Sequence, residues 1–202
     1  KSRQMIRRAI KKNPSAVVAV CGCYSQTTPD EVAAIEGVSI VIGTRDKLLL
    51  PTLVDEVQRR RAMGDFSPLV RVDSLDGAEF ESMCITRAPR TRAYVKIEDG
   101  CECRCTYCAI PGARGPVRSK APDEVISEVE GLYRSGTREV VLTGIETASY
   151  GVDFKNGYRL GDLLCALDAR GSAERIRLGS LTPELMTEGF VEKIRGLKIL
   201  VP

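Results

Sequence analysis

Apolar residues fall along this chain in two rhythms. One is a helical stripe flanked by charge, and the other is a short unbroken run bounded by turn residues. They alternate, which predicts successive β/α units around a parallel sheet. In Lys1–Lys12, Met5, Ile6, Ala9 and Ile10 share one face of a predicted helix, which ends at Asn13–Pro14. Val17–Val20 is wholly apolar, as expected of a parallel strand buried on both faces, and Val38–Ile42 predicts a second buried strand. Between them Thr27 or Thr28 is placed to cap a helix whose first turn holds Pro29, Asp30 and Glu31. Leu48–Ala62 predicts a further helix, interrupted at its start by Pro51.

Residues 64–91 have weak periodicity and mixed charge, and predict a linker between domains 1–63 and 92–202. Cys84 stands alone there and reads as a small packed residue. The second domain predicts strands at Ala93–Ile97, Glu139–Thr143 and Arg175–Leu178, and the start of a fourth at Leu197–Val201. Helices are expected from Pro122 to a stop at Gly136, over Tyr158–Ala169 with Cys165 in the core, and over Glu184–Ile194. Such a succession predicts part of a parallel βα barrel, with its site on loops at the carboxyl ends of the strands.

Composition narrows the chemistry. The 202 residues carry a net charge of +3, too small to argue for nucleic acid by itself, and 43% hydrophobic residues allow an ordinary core. The cations of the first helix, Lys1, Arg3, Arg7, Arg8, Lys11 and Lys12, have no acid among them; they form a solvated face or a phosphate-binding one. No run approaches the roughly 18 apolar residues of a membrane span, and no signal peptide is seen, so a reducing cytoplasm is expected. The absence of histidine excludes a His-based acid–base pair and a Cys–His zinc site.

The eight cysteines therefore point to metal ligation rather than disulfides. Four of them crowd into Cys101–Cys108, within the stretch G-C-E-C-R-C-T-Y-C-A-I-P-G-A-R-G-P-V-R-S-K. Cys101, Cys105 and Cys108 have the spacing C-x3-C-x2-C, expected to hold three irons of a [4Fe–4S] cube and leave the fourth open. With Cys103 as a fourth ligand, a zinc site or an electron-transfer cluster is the competing assignment, although zinc usually draws on two separated pairs. Otherwise Cys103 is a bystander exposed to oxidation. A further cysteine pair, Cys21 and Cys23, follows the first strand in C-G-C-Y-S-Q, where α/β folds place ligands.

These strings resemble the radical S-adenosylmethionine (SAM) enzymes. The aromatic Tyr107 before the third cysteine, D-G-C…C-T-Y-C-A-I-P…A-R-G-P-V-R-S, P-D-E-V-I-S-E-V-E at Pro122–Glu130 and C-G-C-Y-S-Q are similar to the methylthiotransferase branch, which modifies transfer RNA. A-R-G-P-V-R-S points within it to enzymes acting on threonylcarbamoyladenosine beside the anticodon. The resemblance implies a partial flavodoxin-like parallel sheet domain followed by the first part of a radical SAM (β/α) partial barrel. It implies that Cys101, Cys105 and Cys108 hold the cluster that binds SAM, and that Tyr107 lies near the adenine. By the same resemblance Gly144, Ile145 and Glu146 approach the methionine amino group, Ser180 faces the ribose, and Cys23 is one ligand of an auxiliary [4Fe–4S] cluster. A 5′-deoxyadenosyl radical would then take hydrogen from carbon 2 of the adenine, with sulfur from the auxiliary cluster and a methyl group from a second SAM. The implied partners are tRNA and an electron donor such as flavodoxin or ferredoxin.

Read alone, Tyr107 is equally a core residue, Gly144–Glu146 a common turn, and Ser180 a helix-capping group ahead of Pro183. Arg114, Arg118 and Lys120 are candidates for the tRNA backbone or belong to a solvated loop. Cys21 replaces the usual Thr of its string, and Thr182 stands where an acid is expected. The other two auxiliary-cluster cysteines would lie before Lys1, so the chain is expected to be a fragment that does not complete methylthiolation. Rival activities are the methylthiolation of isopentenyladenosine in tRNA or of a ribosomal-protein aspartate, and a non-catalytic iron–sulfur or zinc module.

Overall fold

The computed structural model describes residues 1–86 and 91–201. The last residues of the predicted linker, 87–90, and the terminal Pro202 lie outside the described residues. The chain forms two compact units: Lys1–Ala78 with Tyr107–Arg114, and Glu79–Thr106 with Gly115–Pro202.

The first unit is a three-stranded parallel sheet. Helix α1 (Ser2–Lys12) leads into β1 (Val18–Cys21), the short α2 (Cys23–Thr27) and α3 (Pro29–Ala33), β2 (Val38–Ile42), α4 (Leu50–Ala62) and β3 (Leu69–Arg71). The sheet order is β1-β2-β3, both pairings parallel. All five residues of β2 are buried, which explains its apolar character; the one polar residue, Ser39, accepts the Val18 N–H at 3.2 Å and the Arg61 guanidinium at 2.8 Å. Val38 and Val41 pack with Ile6 of α1 and Val32 of α3, while Ile40 and Ile42 pack with Leu53 and Val57 of α4.

Three details differ from the sequence-based expectation. The segment 64–91 contains β3, a strand of three residues with little burial, and so without a readable period. Pro51 does not interrupt a helix: a 3-10 turn at Lys47–Leu49 precedes α4, and Pro51 sits in its first turn, where a missing N–H costs nothing. Thr28 occupies the N-cap of α3 without a side-chain cap; its hydroxyl donates instead to the Tyr24 carbonyl, 3.0 Å away.

The second unit repeats the β/α plan. Strands β4 (Arg92–Lys96), β7 (Glu139–Thr143) and β8 (Arg175–Leu178) form a parallel sheet in the order β4-β7-β8. Helices α6 (Pro122–Arg134) and α7 (Leu160–Arg170) supply Val125, Val129, Leu132, Leu163 and Leu167 to a core shared with Val95, Ile97, Val140, Leu142 and Ile176. The expected helix over 184–194 is divided. A 3-10 turn at Pro183–Leu185 precedes α8 (Glu188–Ile194), where the Thr187 hydroxyl accepts the Phe190 N–H at 3.3 Å as an N-cap. The fourth strand is present as one parallel bridge, Ile176 to Leu200. Cys165 is half-buried, its thiol 3.7 Å from the Lys193 carbonyl. Among the described residues, no helix is long and apolar enough to cross a membrane.

One element had no sequence signal. Strands β5 (Glu98–Asp99) and β6 (Arg118–Ser119) pair antiparallel, Glu98 opposite Ser119 and Asp99 opposite Arg118. They are two residues each, too short for any periodicity to register.

Candidate functional site

The β5–β6 pair closes the base of the cysteine loop. The Cys101 N–H donates to the Gly115 carbonyl at 3.1 Å, and the Lys120 N–H to the Ile97 carbonyl at 2.8 Å. Gly100 is required at this closure. Its φ is 93°, and a Cβ there would sit 1.9 Å from the Pro116 carbonyl oxygen. The G-P-V-R-S string is therefore the return strand of the loop.

That placement corrects two expectations. Lys120 is fully buried and ion-pairs with Glu128, whose other oxygen accepts the Ile85 N–H at 2.7 Å. Arg118 is buried beside Asp99 at 3.5 Å and donates to the Pro116 carbonyl. Neither side chain is on the surface to meet a phosphate. Cys84, expected to be packed, is exposed, with the Lys120 ammonium 3.4 Å from its sulfur.

Between its anchors the loop is irregular from Cys101 to Cys105, and Arg104 takes a left-handed φ of 45°. All eight cysteines are free thiols. Cys101 is half-buried, and Cys103 and Cys105 are exposed. Hydrogen bonding to Cys101, then the charge of Cys101, push the Cys103 thiol above its ordinary value, with smaller contributions from Cys105 and Glu146. The first three cysteines of the loop are thus electrostatic neighbours.

Tyr107 and Cys108 begin the segment that belongs to the first unit. Tyr107 is 90% exposed, so it is not a core residue; Cys108 is half-buried. Helix α5 (Ile110–Arg114) packs on α2, and the buried Thr44 hydroxyl donates to the Ala113 carbonyl at 3.0 Å. The Arg114 guanidinium donates to the Cys23 sulfur at 3.1 Å. Cys23 opens α2 just after β1, beyond Gly22, whose φ of 109° turns the chain; Cys21, at the strand end, is exposed. Gln26 completes this corner: its carbonyl accepts the Thr44 N–H at 2.9 Å and its amide donates to the Asp73 carbonyl at 3.1 Å.

At the carboxyl edge of the second sheet, Gly144, Ile145 and Glu146 follow β7, and Ser180 follows β8. The structure ties these loops together. Glu146 accepts the N–H groups of Ala148 at 3.3 Å and Thr182 at 3.2 Å, and the Thr147 N–H donates to the Ser180 carbonyl at 3.0 Å. Ser180 is exposed with a left-handed φ of 44°, and Thr182, not Ser180, is the N-cap of the following 3-10 turn.

Beneath this turn is a residue the sequence reading missed. Glu98 is wholly buried, and one of its oxygens accepts the Glu146 N–H at 2.9 Å. Burial, only partly offset by the Glu146 and Ile145 amides, pushes its carboxyl up to about 7. The only hint in the sequence is an acid ahead of D-G-C, and strand alternation assigns it no face. Tyr150 buttresses the return strand from the same loop: its hydroxyl donates to the Lys120 carbonyl at 2.8 Å, and burial raises its pKa.

The donor chemistry suits an iron–sulfur group, since thiolates are the ligands such clusters prefer. Among the described residues no three Cys, Asp or Glu side chains are gathered about one point as a metal site. The loop thus offers the right donors on irregular backbone, held at its base. Two clefts, of about 620 and 580 Å³, lie elsewhere: beside Arg3, Glu31 and Ile35, and beside Cys84, Glu124 and Glu128.

Comparison with known proteins gives the family. Threonylcarbamoyladenosine tRNA methylthiotransferase MtaB of Bacillus subtilis (strain 168) is 42% identical, over 95% of this chain and 42% of the relative. MtaB of Aquifex aeolicus (strain VF5) is 34% identical, over 100% of this chain and 48% of the relative. The tRNA-2-methylthio-N(6)-dimethylallyladenosine synthase of Desulforamulus reducens is 32% identical, over 96% and 42%. The chain therefore spans less than half the length of these curated relatives. Among solved structures, the radical S-adenosylmethionine methyltransferase TsrM from Kitasatospora setae, with cobalamin and a [4Fe-4S] cluster bound, shares the fold. Its TM-score is 0.61 at 16% identity, covering 93% of this chain and 42% of that one. The family model described as the Radical SAM superfamily matches residues 95–201, more than half of the sequence and all three spaced cysteines, and the chain belongs to that superfamily.

Proposed function

We propose that this chain carries the SAM-cleaving part of a cytoplasmic tRNA methylthiotransferase, acting on carbon 2 of threonylcarbamoyladenosine beside the anticodon. The observation that carries the reading is the cysteine loop. Free thiols at Cys101, Cys105 and Cys108 follow the carboxyl end of β4 on a loop anchored by the β5–β6 pair. The 42% identity to the Bacillus subtilis threonylcarbamoyladenosine enzyme supports the choice of substrate.

In this reading Cys101, Cys105 and Cys108 hold a [4Fe–4S] cluster together with SAM, and Cys23 is one ligand of an auxiliary cluster. When bound, the cluster supplies the electron that cleaves the sulfonium of SAM, making a radical that no side chain of this chain can generate. The chain's own work is placement. The exposed Tyr107 ring covers the adenine, the Gly144–Glu146 turn receives the amino group, and Ser180 meets the ribose. Gly100 keeps the loop base closed, which holds Cys101 beside the return strand. Residues 1–63 form the later part of a methylthiotransferase N-terminal domain, 64–91 a connector and 92–202 the radical SAM core. Transfer RNA and a flavodoxin or ferredoxin reductant are the partners.

The test is anaerobic reconstitution with iron and sulfide, followed by electron paramagnetic resonance of the reduced protein with and without SAM. The expected result is a [4Fe–4S] signal that shifts on adding SAM and is lost in Cys101→Ala, Cys105→Ala and Cys108→Ala, but kept in Cys103→Ala. A signal indifferent to SAM, or zinc without acid-labile sulfide, would leave a non-catalytic metal module. A second reading, methylthiolation of dimethylallyladenosine, is favoured by the 32% identity to the Desulforamulus reducens synthase. Mass analysis of tRNA nucleosides from a deletion strain separates the two by which methylthio nucleoside disappears.

A further inference from the structure

Two buried side-chain atoms among the described residues have no hydrogen-bond partner: Glu98 Oε1 and Thr147 Oγ1. Both lie at the carboxyl edge of the second sheet, against the turn after β7. Buried polar atoms are nearly always satisfied, so two left over in one place mark a corner under special demand.

The contacts around them form a chain. Glu98, on β5, accepts the Glu146 N–H at 2.9 Å, and the Ile145 amide also favours its charged form. Gly144 leaves room for the carboxylate to approach: a Cβ there would lie 2.4 Å from Glu98 Oε2 and 3.0 Å from Glu98 Cβ. Glu146 in turn holds the Thr182 N–H at 3.2 Å. Two carboxylates in series, Glu98 and Glu146, thereby link the loops after β4, β7 and β8. Glu98 is too buried to touch a ligand itself.

We propose that Glu98 is the positioning residue of the Gly144–Glu146 turn, fixing its backbone for the amino-acid end of the ligand bound above it. The identity of that ligand as SAM rests on the function proposed above. The role of Gly144 follows, because any side chain at that position displaces the carboxylate.

The experiment uses the reconstituted protein and the variants Glu98→Ala, Glu98→Asp and Glu98→Gln. Amide hydrogen exchange is followed at Ile145 and Glu146, and affinity is measured for SAM and for 5′-methylthioadenosine, which lacks the amino-acid end. In Glu98→Ala and Glu98→Asp, exchange at both amides is expected to rise at least tenfold. SAM binding by Glu98→Ala should weaken at least tenfold, with 5′-methylthioadenosine binding unchanged. Glu98→Gln keeps an acceptor oxygen and should stay within threefold of wild type in both readouts. General loosening of the fold would instead weaken both ligands together and escape rescue by Gln. Wild-type exchange in both Glu98→Ala and Glu98→Asp overturns the proposal, as does wild-type SAM affinity in Glu98→Ala. A wild-type protein that ignores SAM, yet shows the expected exchange pattern, removes the functional reading and sustains the role of Glu98 in the turn.

Discussion

The two three-stranded sheets are built alike and faced differently. In the first, the central strand β2 packs apolar residues on both faces, with Val38 and Val41 toward α1 and α3 and Ile40 and Ile42 toward α4. In the second, the apolar cluster takes Val140 and Leu142 of the central strand β7, the buried Val141 between them lies outside it, and the edge strand β4 alternates. Ala93 and Val95 of β4 are buried, whereas Arg92, Tyr94 and Lys96 between them are exposed. On that open face Glu139 of β7 gathers Arg92, Arg175 and Arg177. A strand buried on both sides reads as a near-continuous apolar run, while an alternating strand leaves one face to polar groups and water. The wet sheet is also the one whose strand ends carry the cysteine loop and the Gly144–Glu146 turn.

The sharpest way to break this contrast is through the buried charge in the second unit. Lys120→Ala leaves Glu128 buried and unpaired, and should cost roughly 3–5 kcal/mol in denaturant unfolding. A loss below about 1 kcal/mol would mean that the pair is open to water, as exposed pairs are worth no more than that. Next come the dry faces. Ile40→Ala in the first sheet and Leu142→Ala in the second, both fully buried, should each cost about 2–5 kcal/mol.

The acid-titrating groups of the second sheet sharpen the comparison by pH. Burial raises Glu98 from 4.5 to about 7 against the Glu146 and Ile145 amides, with neighbouring Asp99 adding to the rise and Lys96 opposing it. Between those values the folded state binds the extra proton, so this contribution is full below 4.5 and is lost as pH rises through 7. The amplitude is on the order of 3 kcal/mol in unfolding free energy, and Glu98→Gln should abolish it. Glu139 behaves in the opposite sense. Although partial burial opposes it, hydrogen bonding from Arg177 and the charges of Arg92 and Arg177 hold its carboxyl below the usual range. Its contribution is present at neutral pH and lost as pH falls through that depressed value, and Glu139→Gln should remove this acid-side dependence. The smallest effect is expected at Tyr94→Ala on the open face, within about 0.5 kcal/mol. A cost matching Leu142→Ala would show that the face is covered.

The cysteine loop was legible because thiolate spacing is a covalent property of the chain: Cys101, Cys105 and Cys108 are close in sequence whatever the fold. Strands Val38–Ile42, Glu139–Thr143 and Arg175–Leu178 were legible to the residue because their pattern is local: the first two are largely apolar and buried, and the third alternates charged and apolar residues. β3 and the β5–β6 pair were not, since two or three residues carry no period and are held by partners far away in sequence. Lys120 and Arg118 were misread as surface cations for the same reason, because a lysine discloses its exposure only through what surrounds it.

By itself, then, the sequence determined the parallel β/α order, the thiol donors and their spacing, since periodicity and covalent distance are written locally. Tertiary structure alone decided that Glu98 lies beneath the Gly144–Glu146 turn, that G-P-V-R-S returns to close the loop, and that Arg114 meets Cys23. Those contacts join residues 19 to 91 positions apart, and only the packing of the chain brings them within hydrogen-bond reach.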